Sequence, residues 1–155
     1  MQNQNYFTKN IDYVSLFDII SANVETTINN ETMITEKELI EKIKNIVLEC
    51  FNNTGFIKII KIKNSTISGT LKKLPDLTIE VKTNSNSKYT LIFEVKSVGQ
   101  PRYARMAISQ LKEMVSDNDN YYGVFASAFI SNETRRICRE NNIGFIDIAG
   151  NCFFN

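Results

Sequence analysis

Two runs near the middle of the chain alternate between apolar and polar residues. In Asp76-Leu77-Thr78-Ile79-Glu80-Val81-Lys82 the odd positions are apolar, and in Thr90-Leu91-Ile92-Phe93-Glu94-Val95-Lys96 so are Leu91, Phe93 and Val95. A period of two marks a strand with one buried face. The polar stretch from Thr83 to Lys88 between them suits a hairpin loop. Aligning the apolar faces fixes the register parity, because a slip of one residue turns every side chain over. The predicted hairpin therefore puts Leu77, Ile79, Val81, Leu91, Phe93 and Val95 on the core. It leaves the even positions, with Asp76, Glu94 and Lys96, on a shared polar face.

Around this hairpin the period changes. Thr35 and Glu38 have the spacing of a capping box. Leu39, Ile40, Ile43, Ile46, Val47, Cys50 and Phe51 then recur at helical spacing, and Gly55 supplies an end signal. Phe56 to Ile62 reads as a strand, and Thr66 to Leu71 either continues it or forms a short extra one. Pro101 suits the start of a helix whose buried stripe is Ala104, Ala107, Ile108, Leu111, Met114 and Val115. The continuous apolar run within Tyr121–Phe129 suits a central strand covered on both faces. Ser131 caps a helix to about Asn141, Phe145–Ile148 is a further strand, and Ala149-Gly150-Asn151 is a turn. Cys152-Phe153-Phe154 pairs as a last strand, leads into a further domain, or serves an interface.

Residues 1–34 read as an N-terminal arm, with a short helix carrying Tyr13, Leu16, Phe17, Ile19 and Ile20, followed by a linker. The arm packs on the core or serves a dimer. Residues 35–155 make the main domain.

The chemistry gathers at one end of the hairpin. Antiparallel pairing brings Asp76 near Glu94 or Lys96, within roughly 5–8 Å. Two carboxylates suit a hard divalent cation, and a lysine beside them can position or activate a water. The bland alternative is a solvated ion-pair cluster on a half-exposed sheet. Glu80-Val81-Lys82 repeats the spelling of Glu94-Val95-Lys96. Glu80 lies about 13 Å along the strand from Asp76, so Glu80 and Lys82 read as ordinary solvent-facing residues.

With Pro75-Asp76, then Glu94-Val95-Lys96, then Gln110 on the following helix, the chain resembles the PD-(D/E)xK nuclease superfamily. This is the restriction-endonuclease-like or Holliday-junction-resolvase-like fold. The likeness covers roughly residues 35–147 and implies an α/β fold, an αβββαβ core with a mixed central sheet flanked by helices. It implies that Asp76 and Glu94 bind Mg²⁺ or Mn²⁺ with the backbone carbonyl of Val95, and that Lys96 orients the attacking water. Gln110 joins the catalytic set by the same resemblance, although the tyrosine that follows four residues later in some relatives is here Met114. Some relatives place a further glutamate on the first helix; Glu38 and Glu41 are the candidates.

Composition narrows the alternatives. A hydrophobic content of 43% and a charged content of 23% are ordinary for a soluble domain. There is no histidine, which excludes His-Cys zinc sites and Ser-His or Cys-His triads. Cys50, Cys138 and Cys152 include no C-x-x-C pair and read as reduced, buried filler. The polar start of the chain and the absence of a membrane-length apolar run make a cytoplasmic protein the expectation, with no membrane partner.

A net charge of +1 requires any DNA-binding face to come from local clustering. Lys58, Lys61, Lys63, Lys72 and Lys73 form either a basic rim or a solvated edge strand. Arg102 and Arg105 either steady phosphates at a helix N-terminus or are plain surface arginines. Asp147 is a strand-end turn former in preference to a peripheral acidic site residue.

The expectation is a metal-dependent endonuclease acting on DNA, a homodimer if it cuts both strands. The alternatives are a catalytically inactive nucleic-acid-binding module and a regulatory subunit that kept the fold. Because Glu94 and Lys96 are read on the polar face, replacing either with alanine is expected to abolish cutting without unfolding the protein.

Overall fold

The computed structural model describes residues 34–64, 74–116 and 118–154. The expectations for residues 1–33, for Thr66–Leu71 and for Lys72 and Lys73 lie outside these. The described elements, in chain order, are α1 (Glu36–Thr54), β1 (Ile57–Asn64), β2 (Leu77–Thr83), β3 (Lys88–Lys96), α2 (Pro101–Val115), β4 (Tyr121–Ser127), α3 (Asn132–Glu140), β5 (Gly144–Asp147) and β6 (Cys152–Phe153). The first six reproduce the expected αβββαβ core.

The six strands form one sheet in sequence order, from β1 to β6. β1, β2 and β3 are antiparallel neighbours, β3, β4 and β5 are parallel, and β6 returns antiparallel to β5. In the central hairpin Leu77 faces Phe93 and Ile79 faces Leu91, the parity that the apolar alternation requires. β1 carries an irregularity between Ile59 and Lys61. With its lysines, that bulge suits the exposed edge of a sheet.

Helix α1 covers one face. Thr35 caps it through the Glu38 backbone N–H, and the Glu38 carboxylate accepts from the Thr35 N–H at 2.9 Å. Gly55 ends it in the left-handed region, at φ 66°. The cap contributes about 1 kcal/mol. Each buried Leu, Ile, Val or Phe contributes roughly 1.5–3 kcal/mol, so the stripe of Leu39, Ile43, Val47, Cys50 and Phe51 outweighs the cap. That stripe packs on the odd residues of β2 and β3 and on Val124, Ala126 and Ile146.

The opposite face is also covered. Ala104, Ala107, Ile108 and Leu111 of α2, with Ile137 and Cys138 of α3, pack over Ile92, Phe125 and Phe145. The even face of β3 is therefore not a half-exposed polar surface. The crossovers β3–α2–β4 and β4–α3–β5 carry helices across it, as parallel strands require.

Candidate metal centre

Asp76 sits just before β2, where its own N–H donates to the Phe93 carbonyl at 3.0 Å. That bond holds it against the last turn of the β3 pleat. Its Oδ2 accepts a hydrogen bond of 2.7 Å from the backbone N–H of Val95. Asp76 thus lies against the Glu94-Val95-Lys96 tripeptide as the register argument requires.

Glu94 and Lys96 stand two residues apart on the face beneath α2. Lys96 Nζ donates to Glu94 Oε1 at 2.7 Å, with Glu94 fully buried and Lys96 26% exposed. A buried carboxylate is costly unless paired, and Lys96 supplies the partner. The polar face expected to be half-exposed is covered at Glu94, and the bland alternative of a solvated cluster fails with it: the helix layer has taken Glu94 out of water.

Burial raises the Asp76 pKa above the ordinary carboxylate value; the Val95 N–H opposes the shift and the Glu94 charge adds to it. Burial alone would lower the Lys96 pKa. The hydrogen bond and charge of Glu94, joined by Asp76 and Glu36, outweigh it and leave the ammonium raised. Lys96 is therefore a cation at neutral pH. It can donate hydrogen bonds and offset negative charge.

Glu36, exposed at the start of α1, is the weakest of the charges felt at Asp76 and Lys96. It lies three and seven residues before Leu39 and Ile43, in line with the buried stripe but exposed at the helix start. Glu38 and Glu41 lie off the stripe: Glu38 is engaged in the cap, and Glu41 pairs with Lys44 and accepts from Asn64 at 2.8 Å.

The remaining expected residues are spread along α2 and the sheet. Arg102 is exposed in the first turn of α2. Arg105 faces α3, where it pairs with Glu133 at 3.6 Å and lines a groove with Lys112 and Arg136. Gln110 is half-buried, nine residues beyond the start of α2, which is about 14 Å along the axis. Asp147 closes the β5–β6 turn: its Oδ1 accepts from the Ala149 and Asn151 backbone N–H groups at 3.1 and 3.0 Å. Arg135 lies 3.7 Å from its other oxygen. This is the turn-forming role expected for it.

Across the sheet Lys96 is in register with Ser127, and Ser127 with Asp147. Just beyond, Gly99 bridges to Ile130 and its carbonyl accepts from Thr134 Oγ1 at 2.9 Å, tying the loop after β3 to α3.

The donor set fits a hard cation. Asp76, Glu94 and the Val95 carbonyl offer only oxygen, the preference of Mg²⁺ and Mn²⁺. Among the described residues no group of three or more His, Cys, Asp or Glu side chains gathers to hold a metal. Two carboxylates are enough for Mg²⁺, which ordinarily keeps several waters and takes substrate phosphate oxygens. No described helix is long and apolar enough to cross a membrane.

No family model matches the chain. No curated protein matches it either. Among solved structures the chain is similar to EndoMS in its apo form, with a TM-score of 0.41 and 11% identity over 67% of this chain and 44% of that one. It is similar to a repair endonuclease from Pyrococcus abyssi, with a TM-score of 0.40 and 11% identity over 70% and 46% of the two chains. An EndoMS–dsDNA2 complex gives a TM-score of 0.37 and 12% identity over 77% and 47%. The chain spans less than half the length of each.

Proposed function

We propose that this protein is a metal-dependent endonuclease that hydrolyses phosphodiester bonds of DNA, with Asp76, Glu94 and the Val95 carbonyl as ligands of Mg²⁺ or Mn²⁺. The observation that carries the reading is the 2.7 Å hydrogen bond from Val95 N–H to Asp76. It holds a half-buried carboxylate against a tripeptide that presents a second carboxylate and an ammonium. The ion supplies Lewis acidity and a bound water of lowered pKa. With the ion held there, Lys96 as a cation would orient an attacking water and offset charge developing on the phosphate. Glu36 adds negative charge at the rim and favours the cation further. Arg102, exposed at the start of α2, is placed to meet the flanking backbone. Gln110 belongs to the proposal by resemblance only.

One observation favours a second reading, a non-catalytic nucleic-acid-binding module. Glu94 is fully buried and closed onto Lys96, which is also how a purely structural ion pair is built.

The test is cleavage of plasmid, linear and branched DNA by the purified protein with Mg²⁺ or Mn²⁺, and with EDTA, alongside Asp76→Asn. This variant keeps an oxygen acceptor for the Val95 N–H while losing the charge. Metal-dependent cutting that disappears in a folded Asp76→Asn protein supports the enzyme. DNA binding without cutting on every substrate, in either metal, supports the binding module.

A further inference from the structure

Cys50 and Cys152 come from opposite ends of the described chain, yet Cys152 packs against the core cluster that holds Cys50, and each thiol acts on the other's acidity. Cys50 lies on the buried stripe of α1. Cys152 opens β6 and packs against the core cluster that contains Cys50. The next positions repeat the contact: the rings of Phe51 and Phe154 lie 5.4 Å apart. Helix α1 and the edge strand β6 thus meet along a seam with both sulfurs in it. All three cysteines are free thiols.

We propose that Cys50 and Cys152 form a reversible dithiol–disulfide site, oxidised by a low-molecular-weight disulfide such as oxidised glutathione, that fastens β6 to α1.

The environment assigns an order to the reaction. The thiolate is the nucleophile in disulfide exchange. The neighbouring Cys152 thiol and burial raise the Cys50 pKa, so Cys50 is the poorer first nucleophile. Cys152 is also the more exposed of the two. Its thiolate attacks one sulfur of the small disulfide, that S–S bond breaks, and one thiolate leaves. Cys50 then gives up its proton and attacks the Cys152 sulfur, expelling the second thiolate. The two protein thiols are oxidised by two electrons, and the small disulfide is reduced to two thiols that take up the released protons. Cys138 is fully buried on the sheet-facing side of α3, with its pKa pushed up to about 12 by burial, and remains a spectator.

The consequence lies at the edge of the sheet. β6 has two paired residues, and among the described residues no strand holds its other side. A cross-link between sequence-distant positions removes most freedom from the unfolded chain, so the oxidised form should resist unfolding better than the reduced one.

The test incubates the full chain with oxidised glutathione, quenches it in acid, and alkylates it after denaturation for mass spectrometry. The expected result is a monomer lighter by two hydrogens, with a Cys50–Cys152 cross-linked peptide and one alkylatable thiol of the original three. Dithiothreitol should restore all three. The Cys50→Ser protein should stop at a glutathione adduct on Cys152. In Cys152→Ser, whose changed side chain is only partly buried, Cys50 should stay unmodified while the protein is folded. A stable glutathione adduct on Cys152 of the unmutated chain, an intermolecular disulfide, or three thiols still alkylatable after oxidation would each overturn the proposal.

Discussion

The carboxylate of Asp76 accepts its 2.7 Å hydrogen bond from the backbone of Val95, the residue between Glu94 and Lys96. The bond closes the open end of the β2–β3 hairpin and sets Asp76 beside the Glu94-Val95-Lys96 tripeptide. It gives Asp76 a structural duty alongside the proposed metal-binding one, and substitutions can separate the two. Asp76→Ala leaves a half-buried N–H without its acceptor and should cost roughly 1–3 kcal/mol. Asp76→Asn should stay much nearer the unmutated stability. Both should lose Mn²⁺ binding in calorimetric titration. Unchanged Mn²⁺ affinity in Asp76→Asn would leave Asp76 with the structural duty alone.

Removing either partner of the Glu94–Lys96 pair should destabilise the protein, and unequally. Lys96→Ala takes the cation away from a fully buried carboxylate, and breaking a buried pair in this way costs up to roughly 3–5 kcal/mol. Glu94→Ala strands an ammonium whose side chain keeps 26% of its surface and can turn toward water. It should cost less, about 1–3 kcal/mol including the lost hydrogen bond. The double variant should lose less than the two single losses combined. Urea unfolding of the three variants reads this directly. Equal, negligible losses would restore the open polar face that the strand pattern alone describes.

Gly99 should not tolerate alanine. A Cβ there would collide with the Phe129 carbonyl oxygen and come within 2.9 Å of Ser127 Oγ. The Phe129 obstacle is backbone, so relief requires parting the Gly99–Ile130 bridge. A loss of about 1–3 kcal/mol is expected, as for overpacking elsewhere. Thermal denaturation of Gly99→Ala checks it, with Gly55→Ala as a contrast: that position has open space around it and suffers from its positive φ instead.

Asp147 should give the stability curve a recognisable pH slope. Burial raises its pKa above 3.8, against the Asn151 hydrogen bonds and the Arg135 charge. The folded state therefore binds this proton more tightly than the unfolded state does. As pH rises through the window just above 3.8, the folded protein loses stability on account of this group. Asp147→Asn removes that contribution. The difference between the unmutated and variant proteins should shift in favour of the variant as pH rises from about 4 to 6. A difference that is flat, or that shifts the other way, would mean that the hydrogen bonds to Asn151 outweigh burial.

Much of the architecture lay in local pattern. Alternation in 76–82 and 90–96 determined which side chains of the hairpin point inward, since parity is a property of the strand itself. Thr35, Glu38 and Gly55 marked both ends of α1, because caps and left-handed turns depend on residues within one turn of each other. The continuous apolar run of β4 announced a strand covered on both sides. Even the approach of Asp76 to Glu94 and Lys96 followed from register parity and hairpin direction.

Tertiary structure alone decided how that site is housed. The even face of β3 reads as polar, but α2 arrives from later in the chain and buries Glu94, converting an apparent surface pair into a partnered interior charge. Glu38 and Glu41, the glutamates that the resemblance offers on α1, are engaged in the cap and with Lys44 and Asn64, and the Asn64 partner is one that the first helix alone does not reveal. The seam between Cys50 and Cys152 has no local signature, because it exists only where the last strand folds back beside the first described helix. Periodicity records what each residue shares with its neighbours along the chain; burial, charge pairing and thiol contact depend on segments that only topology brings together.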